Sequence, residues 1–103
     1  MMESVLPLDG RLESASVKAL EHQLTEATLL GNERLLVDMS RVSYIGSAAL
    51  RAILFMAKRL AVAGGKLVVC GPPQVAKVFS VSGLEGIVPV FLDVAAAREA
   101  LAS

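Results

Sequence analysis

The stretch Arg34–Leu54, RLLVDMSRVSYIGSAALRAIL, decides the fold. It opens on three consecutive apolar residues, Leu35, Leu36 and Val37, followed by one acid, Asp38. A polar connector, Ser40 to Ser43, leads to Tyr44-Ile45-Gly46-Ser47, and a long apolar helical pattern starts immediately after. A short run of consecutive apolar residues suits a strand buried on both faces, as in a parallel sheet. Ser47 is therefore expected where the connector meets the first turn of a helix, among backbone N–H groups without helical partners. A hydroxyl in that position is either a cap or a switch.

The strand spans Glu33 to Met39, and the helix after it runs from Ala48 to Ala63, closed by Gly64-Gly65. Upstream, Val5 to Leu8 suits a short edge strand containing Pro7, Asp9-Gly10 marks a turn, and Arg11 to Glu13 continues as a second short strand. Ser14 or Ser16 can cap a first helix whose Val17, Leu20, Leu24 and Ala27 follow helical spacing, ended by Gly31-Asn32. Downstream, Lys66 to Cys70 is an apolar strand. Pro72-Pro73 starts a third helix with Val75, Val78 and Phe79 inside and Gly83 just past its end. Ile87 to Leu92 is a last strand. Asp93 caps a final alanine-rich helix whose Val94, Ala97 and Leu101 face inward. The expected architecture is α/β: one domain over residues 1–103, with a mixed, mainly parallel sheet of four to five strands and about four helices. The initial strands are expected to add an antiparallel element.

Composition narrows the function. The 103 residues hold ten Lys and Arg against ten Asp and Glu, which argues against a nucleic-acid binder or a polybasic membrane anchor. No apolar stretch reaches the ~18–20 residues of a membrane span, and the acid Glu3 stands where a signal peptide needs positive charge. A cytoplasmic location is expected. The single cysteine, Cys70, excludes an internal disulfide and any metal set built on several cysteines, so neither metal nor cofactor is expected.

Enzyme signatures fail on inspection. Ser47 lies in Gly46-Ser47-Ala48-Ala49, not a G-x-S-x-G elbow, and the only imidazole, His22, falls on the polar side of a remote helix. Ala63-Gly64-Gly65-Lys66 is no phosphate loop, because Leu67 stands where Ser or Thr must bind magnesium and Leu60 where the first glycine must be. Cys70 reads as a small buried hydrophobe. Asp38 either bonds nearby N–H groups or belongs to a site near Ser47. In the second helix, Leu50, Ile53, Leu54, Ala57, Leu60 and Ala61 make one apolar stripe. The opposite side carries Ala48, Ala52, Phe55 and Val62 beside Arg51 and Arg59. That second strip is either a docking surface or the seat of another helix of the same domain.

At this point VDMSRVSYIGSAALRAIL, AGGKLVVCG, VFSVSGLEGIVPVF and the final alanine-rich helix resemble the STAS domain of anti-sigma factor antagonists, from Gly10 to Leu101. The pattern D-x-S-x-V-x-Y/F-I-x-S-x-x-L is matched from Asp38 through Leu50. The resemblance implies a non-enzymatic regulator whose Ser47 is phosphorylated by a partner that is both a GHKL-type serine kinase and an anti-sigma factor. The unphosphorylated form would bind that partner and free sigma factor. Asp38, Gly46, Ser47, Arg51, Phe55 and Arg59 are the expected contact residues. The chain departs from the pattern at Gly46, where the family often has Asp or Ser, and at Ala49, where it has glycine. Two other readings stay open: a non-phosphorylated STAS subunit of a larger complex such as a bacterial lipid transporter, and a ligand-binding or catalytic domain using Asp38 and Ser47.

Overall fold

A computed structural model describes residues 3–28, 34–84 and 86–102. Strand β1 (Glu3–Leu12) is followed by a single 3-10 turn (Ser14–Ser16) and helix α1 (Val17–Thr28). Then come β2 (Arg34–Ile45), α2 (Ser47–Val62), β3 (Lys66–Cys70), α3 (Pro73–Val81), β4 (Val90–Phe91) and α4 (Val94–Ala102). The four strands form one sheet in the order β1-β2-β3-β4, and every neighbouring pair is parallel. This is the sheet that helices alternating with buried strands require.

The antiparallel element expected at the start is replaced by one parallel strand. Val5–Leu8 and Arg11–Leu12 belong to the same β1, because Gly10, at φ +72°, absorbs the Asp9-Gly10 turn signal inside the strand. Past Leu12 the chain turns out of the sheet. The Ser16 hydroxyl accepts the Glu13 N–H at 3.0 Å and donates to the Glu13 carbonyl at 3.0 Å, which ties the 3-10 turn ahead of α1. The expected end of α1 at Gly31-Asn32 and the first strand residue, Glu33, lie outside the described residues.

Ser40 to Ser43, read as a connector, is part of β2. Against β1, the pairing steps from Pro7↔Asp38 to Asp9↔Arg41 and from Gly10↔Val42 to Arg11↔Tyr44, so β2 carries an extra residue at each step. Bulges of this kind bend a strand and shift its alternation by one. The buried positions facing the main core accordingly run Leu35, Val37, Met39, Val42, Ile45: spacings of two, then three. That broken alternation is why the segment looks like a loop in the sequence.

The sheet divides the core unequally. On one face Leu8, Leu20, Leu24, Val37, Ile53 and Phe79 belong to a continuous cluster built with α1, α2 and α3. On the other face α4 alone, through Ala97 and Leu101, covers Leu36, Val68 and Cys70. Val94, expected inside, is over a third exposed. The expected strand Ile87–Leu92 contracts to Val90–Phe91, because the Ile87 and Val88 N–H groups both turn back to the Leu84 carbonyl. Pro89 and Phe91 still accept hydrogen bonds from Val69 and Gly71.

Of the three predicted glycine stops, the two within the described residues hold. Gly64 (φ +83°) and Gly83 (φ +74°) follow α2 and α3 in the left-handed region. Gly65 donates to Leu60 at 2.7 Å and Gly64 to Ala61 at 3.0 Å; Leu84 donates to Phe79 and Gly83 to Ser80 in the same way. These are paired Schellman closures, which use carbonyls the helix itself leaves free.

Candidate functional site

The junction between β2 and α2 is assembled from both strands that lead to it. Gly46 donates its N–H to the Leu12 carbonyl at 2.8 Å, extending the β1–β2 pairing to the last residue before the helix. Its own carbonyl accepts the Leu50 N–H at 3.1 Å, the first helical bond of α2. Gly46 is thus the N-cap, with no side chain to cap the helix, and Ser47 is the first helical residue. The N–H groups of Ser47, Ala48 and Ala49 have no carbonyl in the helix to bond.

Ser47 is exposed. Among the described residues its hydroxyl makes no side-chain hydrogen bond. Beside it, the exposed ring of Tyr44 lies under the Arg11 guanidinium, 4.4 Å from the ring centre, and Arg11 is paired with Glu13 at 2.9 Å. A Cβ built on Gly46 would touch this same ring at 3.5 Å. Arg11, Glu13 and Tyr44 were not among the site residues expected from sequence. The sequence signal for them is weak: an exposed aromatic before Ile45, and an acid two residues after an arginine.

Helix α2 buries the expected stripe through Leu50, Ile53, Ala57 and Leu60, with the inner face rotated towards the opposite strip. Ala49, Ala52 and Met56 are buried with Leu50, Ile53, Ala57 and Leu60, whereas Leu54 is only partly buried and Ala61 is exposed. Both stripes of this helix are apolar, so its sequence pattern alone does not fix the rotation. Ser47, Arg51 and Phe55 follow one another at four-residue spacing on the exposed side, with Phe55 at 63% exposure. Arg59 extends the line by one turn. Phe55 and Arg59 also edge a notch of about 240 Å3 between α1 and α2, to which α1 contributes Glu21, Leu24 and Thr25. The expectation that another helix covers this side is thus half realised: α1 buries Ala52 and leaves Phe55 uncovered.

Asp38 lies elsewhere. It sits in mid-strand, paired with Pro7 and Cys70, and six strand residues, Met39 to Tyr44, at about 3.3 Å rise each separate it from Ile45. Its carboxylate accepts the Ser40 N–H at 3.0 Å, the Ser40 hydroxyl at 2.7 Å and the Cys70 thiol at 3.4 Å. Burial pushes this carboxyl up, but the Ser40 bonds, the thiol and the charge of Arg41 together hold it below the usual carboxylate range. Burial, then the bond and charge of Asp38, push the Cys70 thiol up to about 11. A groove of about 630 Å3 beside β1 is lined by Asp38, Arg11 and Arg41 but not by Ser47. No group of three or more His, Cys, Asp or Glu able to hold a metal occurs among the described residues. Nor is any helix among them long and apolar enough to cross a membrane.

The site is thus an exposed serine opening α2 just past the end of β2 in a parallel α/β sheet. The family model described as "Mlab, STAS domain" matches residues 2–89. A Bordetella bronchiseptica protein named as an anti-sigma factor antagonist, BtrV, is 40% identical over 97 residues, covering 93% of this chain and 80% of that protein. An anti-sigma factor antagonist from Mycobacterium paratuberculosis superposes with a TM-score of 0.88 at 20% identity, over 96% of this chain and 85% of that one. The Bacillus protein SpoIIAA also has this fold. Its unphosphorylated form gives a TM-score of 0.77 at 23% identity over 100% of this chain and 92% of that one. Its phosphorylated form gives 0.66 at 22% over 97% and 93%. The chain belongs to the STAS-domain family of anti-sigma factor antagonists.

Proposed function

We propose that this protein binds an anti-sigma factor that is also a serine kinase, and that phosphorylation of Ser47 by that kinase ends the complex, without the protein itself catalysing a reaction. The observation that carries the reading is the position of Ser47: exposed, first in α2, and in line with Arg51 and Phe55 on the uncovered side of that helix. A kinase can reach such a hydroxyl, and a partner docked along α2 would cover it. The solved phosphorylated state of SpoIIAA supports the same reading.

Energetics favour a switch in binding over a switch in folding. Negative charge at a helix N-terminus is favourable by typically ~0.3–1 kcal/mol, so the free fold tolerates the phosphate. Burying up to two new charges against an apolar partner surface without counter-charges would cost several kcal/mol. Asp38 contributes to this site only through the strand it steadies, and Gly46, Arg51, Phe55 and Arg59 are the direct contacts.

The test is mass spectrometry after incubation with the cognate kinase and ATP. Stoichiometric phosphate on Ser47, absent from Ser47→Ala, is expected; phosphate on Ser40 or Ser82 instead would overturn the assignment. A permanent, unphosphorylated subunit of a larger complex such as a lipid transporter is the second reading, favoured by Gly46 in place of the acid or hydroxyl. Co-purification with a transporter ATPase and no phosphate on any serine would select it.

A further inference from the structure

We propose that Arg51 is the internal counter-ion of a phosphate on Ser47, so that phosphorylation both adds charge and withdraws this guanidinium from the partner. The proposal rests on the reading of Ser47 as the phosphate acceptor and names how that site is regulated. Ser47 and Arg51 are one turn apart on α2, both exposed, and side chains at this spacing are neighbours on a helix surface. Among the described residues Arg51 has no hydrogen bond or ion pair. Helix α2 contains no Asp or Glu, so no acid of its own competes for the guanidinium.

Arg11, Glu13 and Tyr44 lie on the strand side of the junction, Arg51 follows on α2, and α1 brings Glu21 to the notch edged by Phe55 and Arg59. Arg11 is already held by Glu13 at 2.9 Å and lies over Tyr44. Arg51 is the uncommitted cation at the junction, and its planar fork matches phosphate oxygens two at a time. With the partner bound, the same guanidinium lies on the line Ser47, Arg51, Phe55 that the partner would cover. Phosphorylation would therefore subtract a contact as well as impose a repulsion. The free chain, meanwhile, has the new charge partly neutralised.

The experiment uses the full chain with phosphoserine incorporated at position 47 during translation, so that no kinase is needed. Phosphorus NMR then follows its second ionisation near pH 6. An exposed pair at this spacing corresponds to a downward displacement of about 0.3 pH units relative to Arg51→Gln. Expected are that displacement, its loss in 1 M salt, and partial retention in Arg51→Lys. Arg59→Gln, two turns further along, should titrate like the parent. Identical titration of the parent and Arg51→Gln overturns the proposal, as does loss of the displacement in Arg11→Gln instead. Circular dichroism of each variant checks that α2 is intact. A phosphorylated chain that shows the displacement yet still binds its kinase would refute the switch and leave the Arg51 assignment standing.

Discussion

At Gly46 the backbone has φ −87° and ψ 169°, a conformation open to any residue, and a Cβ there would make only ordinary contacts, the nearest 3.4 Å from the Leu12 carbonyl. The glycine is therefore not required by the turn. Gly46→Asp should give α2 the cap it lacks and a charge at its positive end, raising stability by a few tenths to about 1 kcal/mol in urea denaturation. A loss of stability would mean that the junction is tighter than its geometry indicates. Cys70 supplies a second test at this scale. Its folded pKa, about 11, lies above the ordinary thiol value, so the fold retains a proton that the unfolded chain gives up near pH 8.5–9. This contribution is fully present below that range and is lost as pH rises towards 11. The urea midpoint of Cys70→Ala should consequently fall less steeply between pH 9 and 11 than that of the parent. Single-residue chemistry was only partly legible in the sequence: Ser47 stood out by its place before an apolar helix, but the bond from Cys70 to Asp38 depends on strand register, which joins residues 32 positions apart.

Among the elements, α2 and β2 show where sequence pattern succeeds and where it fails. The ends of α2 and α3 were legible because a glycine at positive φ is a local requirement. Gly64→Ala should cost about 1–2 kcal/mol in urea denaturation even though nothing lies within 4 Å of the added Cβ; an unchanged midpoint would contradict the closure described for α2. The course of β2 was not legible past Met39. Two register steps against β1 change the spacing of its buried residues from two to three, and no local signal in Ser-Arg-Val-Ser announces a bulge. The face of α2 was ambiguous for a related reason: Ala49, Ala52 and Met56 face inward as readily as Leu54 and Ala61 would. Packing against α1 decides between them.

For the molecule as a whole, three helices on one sheet face and one on the other leave Phe55 standing clear of the core at 63% exposure beside the α1–α2 notch. Phe55→Ala should leave the melting temperature within about 2–4 °C of the parent, since surface substitutions usually stay within ±0.5 kcal/mol. It should weaken the kinase complex at least tenfold, as aromatic anchors do. Weakening without thermal effect separates a docking surface from a packing role; a large thermal loss with unchanged binding would reverse the assignment. The α/β class and the alternation of elements were legible from Glu33 onward. The parallel β1 was not, because the same Asp9-Gly10 pair that signals a hairpin also serves as a kink within one strand. The most direct measurement is the calorimetric affinity of the anti-sigma factor kinase for the unmodified chain and for the chain phosphorylated at Ser47. At ~1.4 kcal/mol per tenfold, the modified chain should bind at least a hundredfold more weakly while melting at nearly the same temperature. Equal affinity for the two forms would contradict the switch at Ser47.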